Sequence, residues 1–403
     1  MPEPKPTPPV PYIDGIDLMR GLAAQLVLIN HMRAAFFVDF QGAGVQGALA
    51  VPFYLITGFG HQAVIVFFVL SGYLVGGAGL RLVQAGRFHA GHFFLRRLAR
   101  LWIVLLPALV LTMLIDGIGG DGPVYQGQYF ERFASGPAPG SAPGSAPGSA
   151  LSSHWAVSTL LGNAFFLQTI HVPTFGTNSP LWSLANEFWY YAIFIFGLIA
   201  WGGGKFRWAR TIFSGALVVA LIVWLPVEIA AYFAIWMFGA LVAWAVQRGR
   251  IGARSFLPGL IITMIFLGTL LVARLGILPG SWPMAADFLV GSGSALMISV
   301  LIFHARFPDI LARACRFIAS YSFTLYLIHF PLVMAISAWG FDGGQMAFTP
   351  ISAVLFLAIF AGLNAVAYVF FLPFENQTRR AQDWSQAFVF GTAPPRKAMR
   401  ADR

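Results

Sequence analysis

Arg20 and His31 lie eleven positions apart in the first long apolar segment, and this spacing puts both side chains on one face of a helix. Over that distance the helix completes three turns plus about 20° and rises by roughly 16 Å. Asp17 precedes Arg20 by three positions, so its carboxylate can pair with the guanidinium group. Histidine titrates near neutral pH and is a common general base. These residues predict a site for a ligand that is anionic at one end and reacts deeper in the helix.

A simpler interpretation of the same residues stays open at this point. Asp17 and Arg20 would then be ordinary charges at a membrane interface, and His31 would end the apolar segment near the opposite interface. Against this, an ionisable group in the middle of a membrane helix costs at least ~2.5 kcal/mol, and such residues usually face a cavity. Spacing alone does not decide between the two interpretations.

Two further pairs of residues have suitable chemistry. Ser71 and Gly72 interrupt a run of large apolar residues, and small side chains let a ligand or another helix approach closely. Arg97 and Arg100 are three positions apart at the start of the third apolar segment, and paired guanidinium groups suit phosphate. The alternatives are ordinary helix packing for the first pair and anchoring to lipid headgroups for the second.

An acid and a second histidine lie in later apolar segments. Glu187 follows Trp182 at an aromatic-rich helix start, where an unpaired carboxylate would be costly. Three roles are open for Glu187: orienting His31, pairing with an arginine, or binding a sugar hydroxyl. Trp182 is also typical of an interfacial aromatic belt. His329 precedes Pro331 in the middle of its segment, and a lone buried histidine is usually a structural hydrogen-bond donor.

The composition is that of a membrane protein. Of 403 residues, 58% are hydrophobic and 10% are charged, whereas soluble domains carry roughly 25% charged residues. The single cysteine, Cys315, excludes a disulfide framework, and we expect no bound metal or cofactor. Each apolar run is near the ~20 residues needed to span a bilayer as a helix. The fold class is therefore predicted to be all-α and polytopic, with ten spans at 16–38, 61–80, 97–115, 181–201, 209–226, 229–247, 256–275, 285–303, 318–339 and 350–372.

The basic residues predict the orientation of these helices. With the N-terminus in the cytoplasm and sides alternating, all but three of the 25 lysines and arginines fall on the cytoplasmic side. The exceptions are Arg33, Arg132 and Arg274. This asymmetry predicts an even number of spans and two cytoplasmic termini. We attribute the net charge of +10 to topology and anionic lipid rather than to nucleic acid binding.

One membrane domain is predicted over residues 1–375, followed by a basic cytoplasmic tail at 376–403. The domain includes a long periplasmic loop, 116–180, with a Gly-Ser-Ala-Pro repeat within 137–150 that is typical of a flexible spacer. Residues 154–171 are apolar but short, and they predict a helix lying on or dipping into the periplasmic face.

Five segments of the chain together resemble the membrane-bound acyltransferase-3 family. They run in order from the first predicted span to the ninth, so the resemblance covers nearly the whole chain. The segments are IDLMRGLAAQLVLINH at 16–31, GHQAVIVFFVLSGYLV at 60–75, FFLRRLARLWIVLLP at 93–107, LWSLANEFWYY at 181–191 and ASYSFTLYLIHFPL at 319–332.

The family's signatures fall on residues singled out above. The Arg/Lys-x10-His signature falls on Arg20 and His31, and the Arg-x-x-Arg signature on Arg97 and Arg100. The remaining signatures cover Ser71 to Leu74 and Trp182 to Glu187. The resemblance implies that His31 and Glu187 are catalytic. It also implies an acyl-CoA site at Arg20, Arg97, Arg100, Ser71 and Gly72, with support from Asp17, Trp182 and His329.

Such proteins move an acyl group, commonly acetyl from cytoplasmic acetyl-CoA, onto hydroxyls of envelope or exported glycans. The resemblance implies an O-acetyltransferase of the bacterial inner membrane whose partners are acyl-CoA, a glycan acceptor and the bilayer. Many members carry a fused esterase-like domain, whereas only a short tail follows Pro373 here. We therefore expect any second component of the transfer to be a separate periplasmic protein.

A transporter or flippase for a lipid-linked sugar or an acyl group is the main alternative. Transporters often contain internal repeats, and none is visible between the halves of this sequence. A receptor or scaffold would leave His31 and Glu187 without a role. The acceptor, the choice of acetyl or another acyl donor, and the choice of direct transfer or an acyl-histidine intermediate stay open in the sequence.

Overall fold

The computed structural model describes residues 14–40, 49–119, 153–201, 207–250, 256–278, 284–304 and 307–391. Apart from two isolated bridges, these residues contain no β-structure, and they form helices joined by turns. In chain order the α-helices are α1 (Asp14–Phe36), α2 (Ala50–Ile56), α3 (Gly60–Ser71), α4 (Gly77–Gln84), α5 (Ala90–Gly119), α6 (Val157–Ala164), α7 (Trp182–Trp201), α8 (Arg207–Trp224), α9 (Val227–Gln247), α10 (Phe256–Leu275), α11 (Ala285–His304), α12 (Asp309–Ser320), α13 (Ser322–Phe341), α14 (Pro350–Phe371) and α15 (Thr378–Phe390).

The helices confirm an all-α, multi-pass membrane protein. Each predicted span overlaps one long helix or the α3–α4 unit, and the span predicted at 318–339 also includes the last residues of α12. Among the described residues, seven helical stretches are long and apolar enough to cross a membrane, and two shorter apolar helices lie at Trp208–Trp224 and Gly259–Leu275. α1 carries charges at both ends, including Asp14 and Arg33. The count of ten spans and the cytoplasmic position of both termini stay predictions.

Helix α13 lies at the centre of the bundle. Its buried residues, 14 of 20, are distributed around the whole helix, which is typical of a core helix. α1 and α5 both pack against it, and α1 also contacts α3 and α12. By contrast, α14 is strongly apolar but exposes most of its surface. The central position of α13 brings His329 to the middle of the fold.

Helices α3 and α9 cross with their backbones in contact. A methyl group on Gly72 would lie 1.9 Å from the Trp236 carbonyl oxygen, and one on Gly239 would lie 1.9 Å from the Val69 carbonyl oxygen. Gly72 also begins a π-helical turn, Gly72–Gly76, that joins α3 to α4. Gly72, which the sequence predicted to allow close approach of a ligand or a helix, is therefore in contact with a neighbouring helix.

The segment between α5 and α7 differs from the single helix expected over 154–171. Of residues 155–171, only Val157–Ala164 is α-helical, and the chain then reverses through positive φ angles at Phe166 and Thr169. The side chain of Asn163 explains the reversal. It donates to the Pro173 carbonyl (2.9 Å) and accepts from the Phe175 N–H (3.0 Å), so a straight helix would lose both bonds.

This segment is tied to the end of α5 by a buried acid. The Asp116 carboxylate accepts hydrogen bonds from the Thr177 N–H (2.8 Å), the Thr177 hydroxyl (2.9 Å) and the Trp155 indole (3.2 Å). α5 itself continues to Gly119. The two ends of the predicted periplasmic loop are thus folded against each other, and the Gly-Ser-Ala-Pro repeat at 137–150 lies outside the described residues.

The predicted C-terminal tail begins with a docked helix. α15 packs along α5, where Gln386 donates to the His92 carbonyl (2.9 Å) and contacts its ring. Gln382 donates to the Arg96 carbonyl at 3.0 Å. Basic composition alone did not predict this contact, because it depends on glutamines rather than on charge.

The α3–α9 crossing predicts a large difference between two glycine substitutions. Gly239→Ala should lower the melting temperature of the protein in detergent by several degrees, because overpacking typically costs about 1–3 kcal/mol. Gly268→Ala is the matched control, since a methyl group there meets nothing within 4 Å. Fluorescence-detected size-exclusion after heating measures both. Equal melting temperatures for the two variants would contradict the backbone contact.

Candidate functional site

His31 and His329 form a hydrogen-bonded pair between α1 and α13. The His31 Nδ1 lies 2.8 Å from the His329 Nε2, and the rings stack with centroids 5.1 Å apart. The His329 Nδ1 lies 3.0 Å from the Leu325 carbonyl and 2.8 Å from the Tyr326 carbonyl. Because carbonyls only accept, neutral His329 carries its proton on Nδ1 and accepts at Nε2. His31 therefore donates from Nδ1, and its own lone pair is on Nε2.

The proline after His329 helps to lock this helix. Pro331 has no N–H, so the Leu327 carbonyl one turn earlier loses its usual partner within α13. The side-chain amide of Asn178 donates to that carbonyl at 2.9 Å. Asn178 also donates to Thr112 at 3.2 Å, which joins α13 to α5. The resulting network holds the His329 backbone in place.

Tyr326 continues the polar cluster toward α7. Its hydroxyl lies 2.6 Å from the Ser183 hydroxyl and 3.2 Å from the Pro180 carbonyl, and all three residues are buried. Tyr326 precedes His329 by three residues, and Ser183 precedes Glu187 by four. The Tyr326–Ser183 pair thus lies one helical turn from each of these two predicted site residues. Tyr326 was not predicted as a site residue from the sequence, although a polar residue one turn from a histidine was a usable signal.

Glu187 belongs to a separate hydrogen-bond cluster. Ser71 donates to its carboxylate at 2.9 Å, and the Tyr191 hydroxyl donates to the same oxygen. Trp236 in turn donates to the Ser71 hydroxyl at 3.1 Å. Orienting His31 was one of the three roles considered for Glu187. His329 has this role instead, because it occupies the Nδ1 side of the His31 ring.

Arg97 faces the Glu187 cluster. Its guanidinium carbon lies 5.2 Å from the centre of the Phe93 ring, and its charge interacts with Glu187 and Tyr191. Its Nε is buried and has no hydrogen-bond partner among the described residues. Of the roles considered for Glu187, pairing with an arginine is the one that agrees with this electrostatic interaction.

Arg100 lies against a different carboxylate, that of Glu375. The Arg100–Glu375 distance is 3.8 Å, and the guanidinium lies over Phe323 at 5.7 Å. Glu375 is buried and accepts from the Thr324 N–H (2.9 Å) and the Thr324 hydroxyl (2.8 Å) at the start of α13. The two arginines that spacing placed on one side thus interact with different acids, Arg100 through an ion pair with Glu375 and Arg97 through its charge with Glu187. Glu375 was missed, and its signal was an isolated acid directly after the last apolar segment.

Arg20 lies at the same end of the bundle as Arg100. Its guanidinium is 3.2 Å from Asp17, which confirms the predicted pair, and it donates to the Ala319 carbonyl at 3.0 Å. Its charge also acts on Glu375. The Ala319 contact arises because α12 ends at Ser320 as a separate helix, whereas the sequence predicted one span over 318–339.

The remaining predicted residues have packing contacts. Trp182 packs with ring centroids 6.0 Å from Phe68 and 6.1 Å from Tyr232, and Gly72 lies against the backbone of α9. The described residues contain no group of three side chains able to hold a metal ion. The site therefore consists of charges at one end and a fixed histidine pair roughly 16 Å deeper along α1.

No curated protein and no solved structure matches this chain. The acyltransferase domain family matches residues 13–371, a region that includes α1, the α3–α4 unit, α5, α7 and α13 and every site residue predicted from the sequence. Because this match spans nearly the whole chain, the multi-pass membrane protein described here belongs to the acyltransferase-3 family.

Proposed function

We propose that the protein is an O-acetyltransferase of the bacterial inner membrane, which moves acetyl from cytoplasmic acetyl-CoA to a hydroxyl of an envelope or exported polysaccharide. The observation that carries this proposal is the His31–His329 pair, which sets His31 in the tautomer with its lone pair on Nε2. A hydroxyl needs such a base before it can attack a thioester. Family membership supplies the reaction class.

The charged end of the bundle supports acyl-CoA as the donor. Coenzyme A carries phosphates, and guanidinium groups bind phosphate through paired charge-assisted hydrogen bonds. Arg20 and Arg100 lie at this end, and Arg97 precedes Arg100 by one helical turn on α5. A donor held there by its phosphates would extend its pantetheine arm along α1 toward His31, roughly 16 Å away.

In the proposed reaction, the acceptor hydroxyl attacks the thioester carbonyl carbon while the His31 Nε2 takes the hydroxyl proton. The tetrahedral intermediate then collapses, the carbon–sulfur bond breaks, and the leaving thiolate takes the proton from the imidazolium. The His31 Nδ1–H stays bonded to His329 throughout. A route in which Nε2 itself attacks the thioester starts from the same tautomer, and an acetyl-histidine trapped by acid quenching would assign that route instead.

His31→Ala is expected to abolish glycan acetylation, because general-base catalysis typically contributes about 10²–10⁴-fold to the rate. Comparative NMR of surface glycans from cells expressing either form measures the acetyl signals, with immunoblots of membranes as the control for expression. Wild-type acetylation by His31→Ala at normal membrane levels would refute the base assignment. Acetylated glycan without release of coenzyme A by membranes would favour a transporter.

His329→Ala should lower kcat by about 10²-fold, because the His31 tautomer loses its only described acceptor on the Nδ1 side. His329→Gln should recover most of this loss, since its amide oxygen can accept from the His31 Nδ1–H. The KM for acetyl-CoA should stay at the wild-type value in both variants. An equal loss in the two variants, or a change confined to KM, would argue against tautomer control.

Arg97→Ala should raise the KM for acetyl-CoA by roughly tenfold or more, since a hydrogen bond to a charged group contributes about 1.5–3 kcal/mol. Acetyl-pantetheine lacks the nucleotide phosphates, so with this donor the variant and wild type should have similar KM values. Arg248→Ala, an exposed arginine at the end of α9, serves as the charge-matched control. A defect of equal size with both donors would exclude phosphate binding by Arg97.

A further inference from the structure

A second polar cluster connects the starts of three helices. His61 in α3 has its Nε2 2.8 Å from one carboxylate oxygen of Asp287 in α11, and Tyr232 in α9 donates to the other oxygen at 2.8 Å. Tyr232 is fully buried, and the Asp287 side chain is 9% exposed. The His61 side chain is 40% exposed, so one edge of its ring is accessible.

This cluster lies at the depth of His31, away from the charged end. Gly60, the neighbour of His61, packs against Asn30, the neighbour of His31: an added methyl group on Gly60 would be 2.6 Å from the Asn30 Cβ. The Tyr232 ring also packs against Trp182, with centroids 6.1 Å apart. The cluster thus lies next to α1 at the level of His31 and next to Trp182, at the end of the site opposite Arg20 and Arg100.

The chemistry of the cluster suits a ligand with a hydroxyl group. Asp287 lies in the first turn of α11, where the helix dipole stabilises a carboxylate. With Asp287 accepting from the Nε2–H, neutral His61 presents its lone pair on Nδ1. A carboxylate that orients a histidine in this way leaves the opposite nitrogen ready to accept a proton or a hydrogen bond. An imidazole acceptor takes a hydrogen bond from a donor such as a hydroxyl, which is the group that the acceptor of the proposed function carries.

We propose that the His61 Nδ1 accepts a hydrogen bond from a hydroxyl of the acyl acceptor and holds the acceptor beside His31, on the side opposite the donor. Asp287 and Tyr232 are positioning residues, because they act through His61. This assignment rests on the proposed function, in which the acceptor is a hydroxyl compound. It divides the site into a donor end, formed by arginines, and an acceptor end, formed by the oriented histidine.

His61→Phe keeps a ring of similar size but has no lone pair that could accept from a hydroxyl. His61→Gln is the rescue variant, because its amide can donate to Asp287 through an N–H and accept from a hydroxyl through its oxygen. The test uses the full chain in lipid nanodiscs, with acetyl-CoA as donor and, as the probe, glycan extracted from cells lacking this gene. Coenzyme A release is measured against each substrate. The expected result for His61→Phe is a KM for the glycan raised about tenfold and an unchanged KM for acetyl-CoA, and His61→Gln should recover most of the change.

Two controls make the result decisive. His171→Phe changes an exposed histidine of the segment between α6 and α7 and should leave both KM values unchanged. Tyr232→Phe should raise the KM for the glycan by a smaller factor, since Asp287 keeps its bond to His61. An unchanged KM for the glycan in His61→Phe, or equal changes for both substrates, overturns the acceptor assignment alone. Absence of glycan-dependent coenzyme A release by the wild type overturns the proposed function, and the acceptor assignment with it.

Discussion

The hydrogen bond between His31 and His329 is the interaction on which the site depends. It can form only because α13 passes through the centre of the bundle, where α1 contacts it directly. The bond is directional because the Nδ1 of His329 already donates to the carbonyls of its own helix. In a low-dielectric interior, such chains of hydrogen bonds are strong when complete and costly when broken. The central helix, its proline and the amide of Asn178 thus set the protonation pattern of one imidazole ring.

Pairing of buried charges is the second constraint on this fold. A charge inside a bilayer-spanning bundle needs a partner, and each predicted arginine has an acid nearby: Asp17 for Arg20, Glu187 for Arg97 and Glu375 for Arg100. The acids come from three different parts of the chain, so the pairs also tie helices together. The Glu375 carboxylate stabilises the start of α13 and an arginine of α5 at once, which couples the charged end of the bundle to the helix that carries His329.

Close packing of small residues decides where the helices can cross. Gly72 and Gly239 bring the backbones of α3 and α9 into contact, and this contact places Trp236 next to Ser71 and hence next to Glu187. The same two helices carry His61 and Tyr232 near their N-terminal ends. One helix crossing therefore positions residues of the Glu187 cluster and of the His61–Asp287–Tyr232 cluster.

The sequence by itself determined the all-α membrane class, the positions of the long helices, the Asp17–Arg20 pair and the family. These features follow from hydrophobic runs, from helical spacing and from local motifs, all of which are properties of short stretches of chain. Only the tertiary structure decided that His329 rather than Glu187 orients His31, that Arg97 and Arg100 face different acids, and that Glu375 and His61 have polar partners. Those partners are separated by between about 90 and 300 positions in the chain, and no local pattern encodes contacts between residues that only the packing of helices brings together.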